Sequence, residues 1–219
     1  MTPLTAIIGF ADLLSSTDLP QQQKNQVGHI VDASRQLHEL FTELLTYILL
    51  NSGEMTVENK AFLPATLLTE VSNRINNKAL AKGLSVTTHV DSALPVLLGD
   101  VYLLKHALDI LASNALKFTQ QGSISLTAQL LDKKEDRLQI AFVVKDSGIG
   151  IPLERQKELF NAFRPLDSSL SRPYRGIGLG LAICSQLVTL LGGEIDVESS
   201  PDKGSQFRIK IWLEPQFIG

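Results

Sequence analysis

One cysteine, Cys184, among 219 residues leaves no internal disulfide to form, and no Cys or His stands near it at zinc-ligand spacing. It is expected to pack inside a helix, in a reducing compartment. No stretch approaches the roughly 18 to 20 uninterrupted apolar residues that cross a bilayer, and no basic segment followed by an apolar core opens the sequence. The chain reads as cytoplasmic, with any membrane attachment left to segments upstream of it. Charge of one sign is also scarce: 20 Lys and Arg stand against 23 Asp and Glu, a net −3. That balance excludes a nucleic-acid partner held by phosphate neutralisation. Disorder is excluded as the main state, since 44% of residues are hydrophobic, and the length allows one or two compact units.

What is present begins with two helices. Leu4, Ile7, Ile8, Ala11 and Leu14 share a helical face, Ser15 to Leu19 interrupts it, and Pro20 restarts the helix as a first-turn proline. Val27, Ile30, Ser34, Leu37, Phe41, Leu44 and Ile48 then alternate spacings of three and four, a heptad seam with one polar member. The pattern predicts a helical hairpin that pairs with a second copy as a four-helix bundle. The second helix would run about 50 Å against about 20 Å for the first, at 1.5 Å per residue. Half of the seam then lacks a partner within the chain, so the chain is expected to be a fragment of a longer protein and a homodimer.

The texture changes at Asn51, Ser52 and Gly53, which puts a hairpin domain at 1–53 and a second domain at 54–219. In the second, Pro64 opens a helix that Gly83 closes, and Leu84 to Val90 reads as a strand. Asp100 caps a helix through Phe118. Gly122 to Leu131 and Leu138 to Lys145 are strands joined by a charged turn. A helix over Leu179 to Leu191 is ended by Gly192 and Gly193, and Ile195 to Val197 and Gln206 to Leu213 supply the last strands. Three helices against about five strands predict a two-layer α+β sandwich.

Three clusters carry chemistry. Asp146-Ser-Gly148-Ile-Gly150 follows a strand, where a carboxylate can accept from an exocyclic amine and glycines let a flat ring approach the backbone. Gly176-Ile-Gly178-Leu179-Gly180 leads straight into a helix, whose first amides suit phosphate. This is neither a dinucleotide fingerprint nor a P-loop, because the glycine spacing differs and the preceding residues are polar and contain Pro173. Asn114 and Lys117 share a helical face, an amide oxygen beside an ammonium, which suits a Mg²⁺-bound polyphosphate.

Taken in order, these residues resemble the sensor histidine kinases, with their dimerisation hairpin and an ATP-binding domain of the gyrase, chaperone, kinase and MutL group, the Bergerat fold. Thr2-Pro3-Leu4 resembles the second half of the phosphoacceptor box, Asn114 to Thr119 the N box, and Asp146 to Gly150 the first glycine box. Phe160 to Phe163 resembles the F box, Gly176 to Leu181 the second glycine box, and Gly193 through Gly204 and Ser205 to Phe207 the closing strands. The resemblance covers nearly the whole chain.

It implies that Asp146 holds the adenine amino group in a pocket shaped by Gly148 and Gly150, with Asn114 on Mg²⁺ and Lys117 on phosphate. Residues from Phe163 to Gly176 would form a lid over ATP, with Arg172 near the γ-phosphate, and Gly178, Leu179 and Gly180 would bring backbone amides to it. Ser205 belongs to the same implied nucleotide site. Thr2, four residues after the family's acceptor histidine, would help a phosphatase reaction by orienting water. A response-regulator receiver domain would be the partner.

The departures are informative. The acceptor histidine would fall before Met1, so the chain itself lacks it. Ile110 stands four before Asn114, where the family has a polar residue, Asp109 would point about 100° away on the helix, and Arg175 replaces a glycine. His29, His38, His89 and His106 read as packed or solvated side chains. The expected function is an ATP-dependent protein-histidine kinase core; the alternative is a nucleotide-responsive dimerisation module without phosphoryl transfer. A hydrolytic ATPase would need an N-box Glu that is absent here.

Overall fold

The computed structural model describes residues 3–163 and 178–216. The chain divides into two compact units, Met1–Asn51 and Ser52–Gly219.

The first unit is a hairpin of α1 (Pro3–Ser15) and α2 (Gln21–Ser52). Pro20 sits just before α2, where its carbonyl accepts from Lys24 N–H at 3.0 Å, so it caps the helix from outside its first turn. Ala11, Val27 and Val31 are buried against one another with Leu19 beside them. The contact line within the chain therefore runs through Val27, Val31 and Ser34, and Ile30, expected in the seam, is 50% exposed. The reason is the short α1, which pairs only with the first turns of α2; Arg35 fixes that pairing through both oxygens of Asp12, at 3.0 and 3.2 Å. Beyond it Leu37, Phe41, Leu45, Ile48 and Leu49 stay exposed, as do Phe10, Leu13 and Leu14 on α1.

The second unit contains β1 (Lys60–Phe62), α3 (Pro64–Ala81), β2 (Ser85–Val90), β3 (Leu97–Gly99), α4 (Val101–Phe118), β4 (Ser123–Lys133), β5 (Leu138–Asp146), α5 (Leu153–Gln156), α6 (Gly180–Leu190), β6 (Glu194–Ser199) and β7 (Ser205–Pro215). Its seven strands form one mixed sheet in the order β1-β3-β7-β5-β4-β2, with β6 on the same edge of β7 as β3. Among the described residues only β2 and β4 pair in parallel. Two strands more than expected are present: β1 and β3 have three residues each, too few for a period to emerge, and they exist because they pair with each other and with the end of β7. The charged turn is also shorter than expected, because β4 continues to Lys133 past a register shift at Leu130 and Asp132.

Alternation decides the layers. Ile124 and Leu126 of β4, Ile140, Phe142 and Val144 of β5, and Ile209 and Ile211 of β7 are all but inaccessible, and the strand registers put them on one face. Helices α3, α4 and α6 cover that face with Leu67, Leu68, Leu104, Leu108, Leu111, Ile183 and Leu187. The opposite face is polar; there Arg208 pairs with Asp196 at 3.5 Å and Glu198 at 2.9 Å, and Lys210 with Asp196 at 2.7 Å. Among the described residues no helix is long and apolar enough to cross a membrane.

Helix α4 carries the N box, and its start is fixed by Asp100. The Asp100 carboxylate accepts from the N–H groups of Tyr102 and Leu103 at 3.1 and 3.0 Å, and also from Glu58 N–H at 2.8 Å. Asp100→Ala is expected to destabilise the second unit by about 1–2 kcal/mol, the upper range for a lost cap because a third donor is orphaned. Urea denaturation measures it.

Candidate functional site

The site is built from the C-terminal ends of α4 and β5 and the start of α6. Strand β5 places Asp146 two residues beyond Val144, on the core side, where it is 7% exposed. Burial pushes its carboxyl above the usual range, and the backbone N–H groups of Gly148 and Ser205 pull it part of the way back. Gly148 N–H donates to Asp146 Oδ1 at 2.7 Å, which fixes the orientation of the carboxylate.

Glycine at 148 is required by a close approach. A Cβ there would lie 2.5 Å from the Phe118 carbonyl oxygen and 2.8 Å from Asp146 Oδ1. The last turn of α4 and the loop after β5 are thereby brought together, and Ile149 N–H donates to the same Phe118 carbonyl at 3.4 Å. Gly150 adopts φ +67, and its missing side chain would collide with the Ser200 carbonyl.

On α4, Asn114 and Lys117 lie along one border of the buried stripe formed by Leu104, Leu108, Leu111 and Ala115, and both are half-buried. The Lys117 ammonium rests 5.1 Å from the Phe118 ring centroid. Ile110, one turn before Asn114 on the same border, packs at the start of α6: its Cγ2 would be 3.4 Å from a Cβ on Gly180. Asp109 is turned elsewhere. Its Oδ2 takes Arg74 Nη1 at 2.8 Å and lies 3.8 Å from Lys105 Nζ, so it is engaged in bridging α3 and α4 and does not replace the polar residue expected at position 110.

Helix α6 begins at Gly180, and among the described residues no side chain caps its first turn. Gly178 has φ +75, a left-handed turn that admits the chain to the helix. Leu179 is fully buried. Ser205 pairs with Asp146 in the β5–β7 register and is 7% exposed. Phe163 is 56% exposed with φ +61. Thr2, Arg172, Gly176 and the span 164–177 expected as a lid lie outside the described residues.

A magnesium ion has a plausible donor here in the chemical sense. The Asn114 carboxamide has no hydrogen-bond partner among the described residues, and one neutral oxygen suits an ion that keeps its waters and takes phosphate oxygens. Among the described residues no group of three or more His, Cys, Asp or Glu could hold a metal without such a substrate. His29, His38 and His89 are exposed on helix or strand surfaces. His106 is half-buried, and burial is the main cause lowering its pKa, with Asp109 opposing and Arg74 adding to the fall. Sequence reasoning missed Gln156 and Ser199, which bind the loop after β5, and no period or motif marked them.

The family described as histidine kinase-, DNA gyrase B-, and HSP90-like ATPase matches residues 99–215, and the His Kinase A (phospho-acceptor) domain matches residues 2–53. Sensor protein GacS of Pseudomonas syringae pv. syringae is 37% identical over 213 residues, 97% of this chain and 24% of that protein. The signal transduction histidine-protein kinase BarA of Escherichia coli K12 is 34% identical over 99% of this chain and 24% of its own length. The chain thus spans about a quarter of these curated relatives. Among solved structures, full-length ShkA in complex with AMPPNP aligns with a TM-score of 0.82 and 29% identity, over 98% of this chain and 44% of that one. The Acinetobacter baumannii histidine kinase AdeS aligns with a TM-score of 0.66 at 19% identity, over 96% of this chain and 94% of that one, which speaks for the fold alone. The helical hairpin, both matched families and the curated relatives agree: the chain belongs to the sensor histidine kinases, as their dimerisation hairpin followed by the ATPase domain.

Proposed function

We propose that this chain binds Mg²⁺-ATP and serves as the core of a kinase that moves the γ-phosphoryl to a histidine and then to an aspartate of a response-regulator receiver domain. The observation that carries it is Asp146, a buried carboxylate at a strand end, with Gly148 letting the following loop close against the end of α4 beside it. Asp146 accepts from the adenine amino group. Lys117 offsets phosphate charge, the first amides of α6 hold phosphate oxygens, and Arg172 approaches the γ-phosphate. Asn114 would hold magnesium, which would supply neutralisation of phosphate charge.

In the transfer a histidine nitrogen bonds to the γ-phosphorus as the bond from that phosphorus to the β-bridging oxygen breaks, and ADP leaves. By resemblance to the phosphoacceptor box, Thr2 takes the position four residues after the acceptor and orients water for hydrolysis of the phosphate on the partner regulator. The exposed apolar stripe of α1 and α2 pairs two hairpins into a four-helix bundle.

A second reading rests on Ile110: apolar where the metal site is usually polar, and used to pack α6, it favours a module that responds to ATP by changing shape without transferring phosphate. Calorimetric titration with ATP, with and without Mg²⁺, and phosphorylation of a version carrying the upstream histidine separate them. The kinase predicts Mg²⁺-dependent affinity and an acid-labile, base-stable phosphate. Binding indifferent to Mg²⁺, with no phosphate transferred, supports the module.

A further inference from the structure

The loop after β5 is not held by its own turn. Ile151 uses both of its backbone groups on side chains from elsewhere: its N–H donates to Ser199 Oγ at 2.8 Å, and its carbonyl accepts from Gln156 Nε2 at 2.8 Å. The same Gln156 amide group donates to the Ser199 carbonyl at 2.9 Å. Ser199 ends β6, and Gln156 ends α5. One carboxamide therefore ties the loop to the strand that lies beyond β7.

The tie continues toward the carboxylate. Ser199 Oγ donates its single proton to the Gly204 carbonyl at 2.8 Å, so at its 3.0 Å contact with Ser205 Oγ it must accept. Ser205 in turn stands opposite Asp146 in the β5–β7 register. Asp202 N–H donates to the Ile149 carbonyl at 2.8 Å and closes the contact from the turn between β6 and β7. Gln156, Ser199 and Ser205 thus form a continuous hydrogen-bonded path from the outside of the loop to the strand position paired with Asp146.

We propose that Gln156 and Ser199 are positioning residues for base recognition: they clamp residues 149–151 to the turn between β6 and β7, so that the Asp146 carboxylate, steadied by the Gly148 N–H, presents a preformed acceptor to the nucleotide base. The inference rests on the nucleotide-binding reading above. Neither side chain touches the ligand. Their contribution is pre-organisation, and without it the loop must be ordered when the nucleotide binds.

The clamp acts at the base end, which sets its signature. Gln156→Met keeps the stem and removes both donors; Gln156→Glu puts a carboxylate against two carbonyl oxygens; Ser199→Ala removes the hydroxyl and Ser199→Thr restores it. Calorimetric titration of the whole chain with ATP and with ADP, well below the unfolding transition, reads each one. Gln156→Met and Ser199→Ala are expected to raise the Kd of both nucleotides by the same factor, about tenfold, as for one or two buried hydrogen bonds. Gln156→Glu should bind more weakly than Gln156→Met, Ser199→Thr should return close to the parent value, and the double variant should lose less than the product of the single losses.

A protein with the parent Kd in Gln156→Met and Ser199→Ala overturns the clamp. So does a loss confined to ATP, which would locate the fault at the phosphates, or a lowered melting temperature without a change in Kd, which would make the residues merely structural. If the parent chain binds neither nucleotide, the nucleotide-binding reading falls first and the clamp with it, and that result is visible before any variant is made.

Discussion

Asp146→Asn is expected to weaken binding of Mg²⁺-ATP by roughly 10- to 100-fold while the fold survives, because a hydrogen bond to an ionised group in a desolvated site contributes about 1.5–3 kcal/mol. The carboxylate has two functions that separate in this variant. Toward the ligand it is an acceptor for the adenine amine; an Asn in the same place must turn its own NH₂ either toward that amine or toward the amides of Gly148 and Ser205, and each choice sets donor against donor. Toward the fold it is a cost. Burial pushes its pKa up, so between the ordinary value of 3.8 and the raised one the folded state holds more protons than the unfolded state. Stability contributed at this position therefore rises as pH falls through that window and is lower above it.

Asn removes the charge, so the variant should be no less stable than the parent at pH 7. Binding runs the opposite way. The amine selects the ionised carboxylate, so affinity should fall as pH drops through the raised pKa, and the fall should begin at a higher pH than an exposed aspartate would give. Calorimetry of parent and variant across pH 4 to 8, beside thermal melts, measures both signs. A variant that binds ATP as the parent does would remove Asp146 from the site.

The legibility of this molecule in its sequence follows the physics of each part. Helix α4 was readable to the residue at both ends because Asp100 is a side-chain cap and because the apolar stripe has a helical period over five turns. Strands β4, β5 and β7 were readable from alternation, with ends displaced by one or two residues. The three-residue strands β1 and β3 were not, since their existence depends on partners far away in sequence. In the hairpin the apolar period was legible, but which of its members face α1 was not: Val31 replaced Ile30 because the choice depends on the rotation of one helix against the other.

The site divides in the same way. Asp146, Gly148 and Asn114 were marked by chemistry that announces itself in order along the chain, and the structure brings the first two against the end of α4 through the Phe118 carbonyl. Gln156 and Ser199 carry ordinary polar side chains in unremarkable places. Their importance lies in hydrogen bonds that span 5 and 48 residues and meet at Ile151.

The same economy of space constrains Gly204. It adopts φ +80, and a Cβ on it would collide with the Asp146 carbonyl oxygen, with the Asp146 carbonyl carbon at 2.8 Å and Ser147 Cα at 2.9 Å. All three obstacles are backbone atoms, so no side-chain rotation can relieve them. Gly204→Ala is expected to destabilise the second unit by about 2–5 kcal/mol, combining left-handed strain of about 1–2 kcal/mol with overpacking of about 1–3 kcal/mol. Gly83→Ala is the control, because Gly83 has a similar φ of +71 but nothing within 4 Å of its missing Cβ, so strain alone should remain, about 1 kcal/mol. Urea denaturation of the two variants isolates the close approach. Equal losses would mean that the turn between β6 and β7 yields freely. A larger loss at 204 would mean that it is braced against the strand end bearing Asp146, and saturating ATP should then recover part of that loss by mass action.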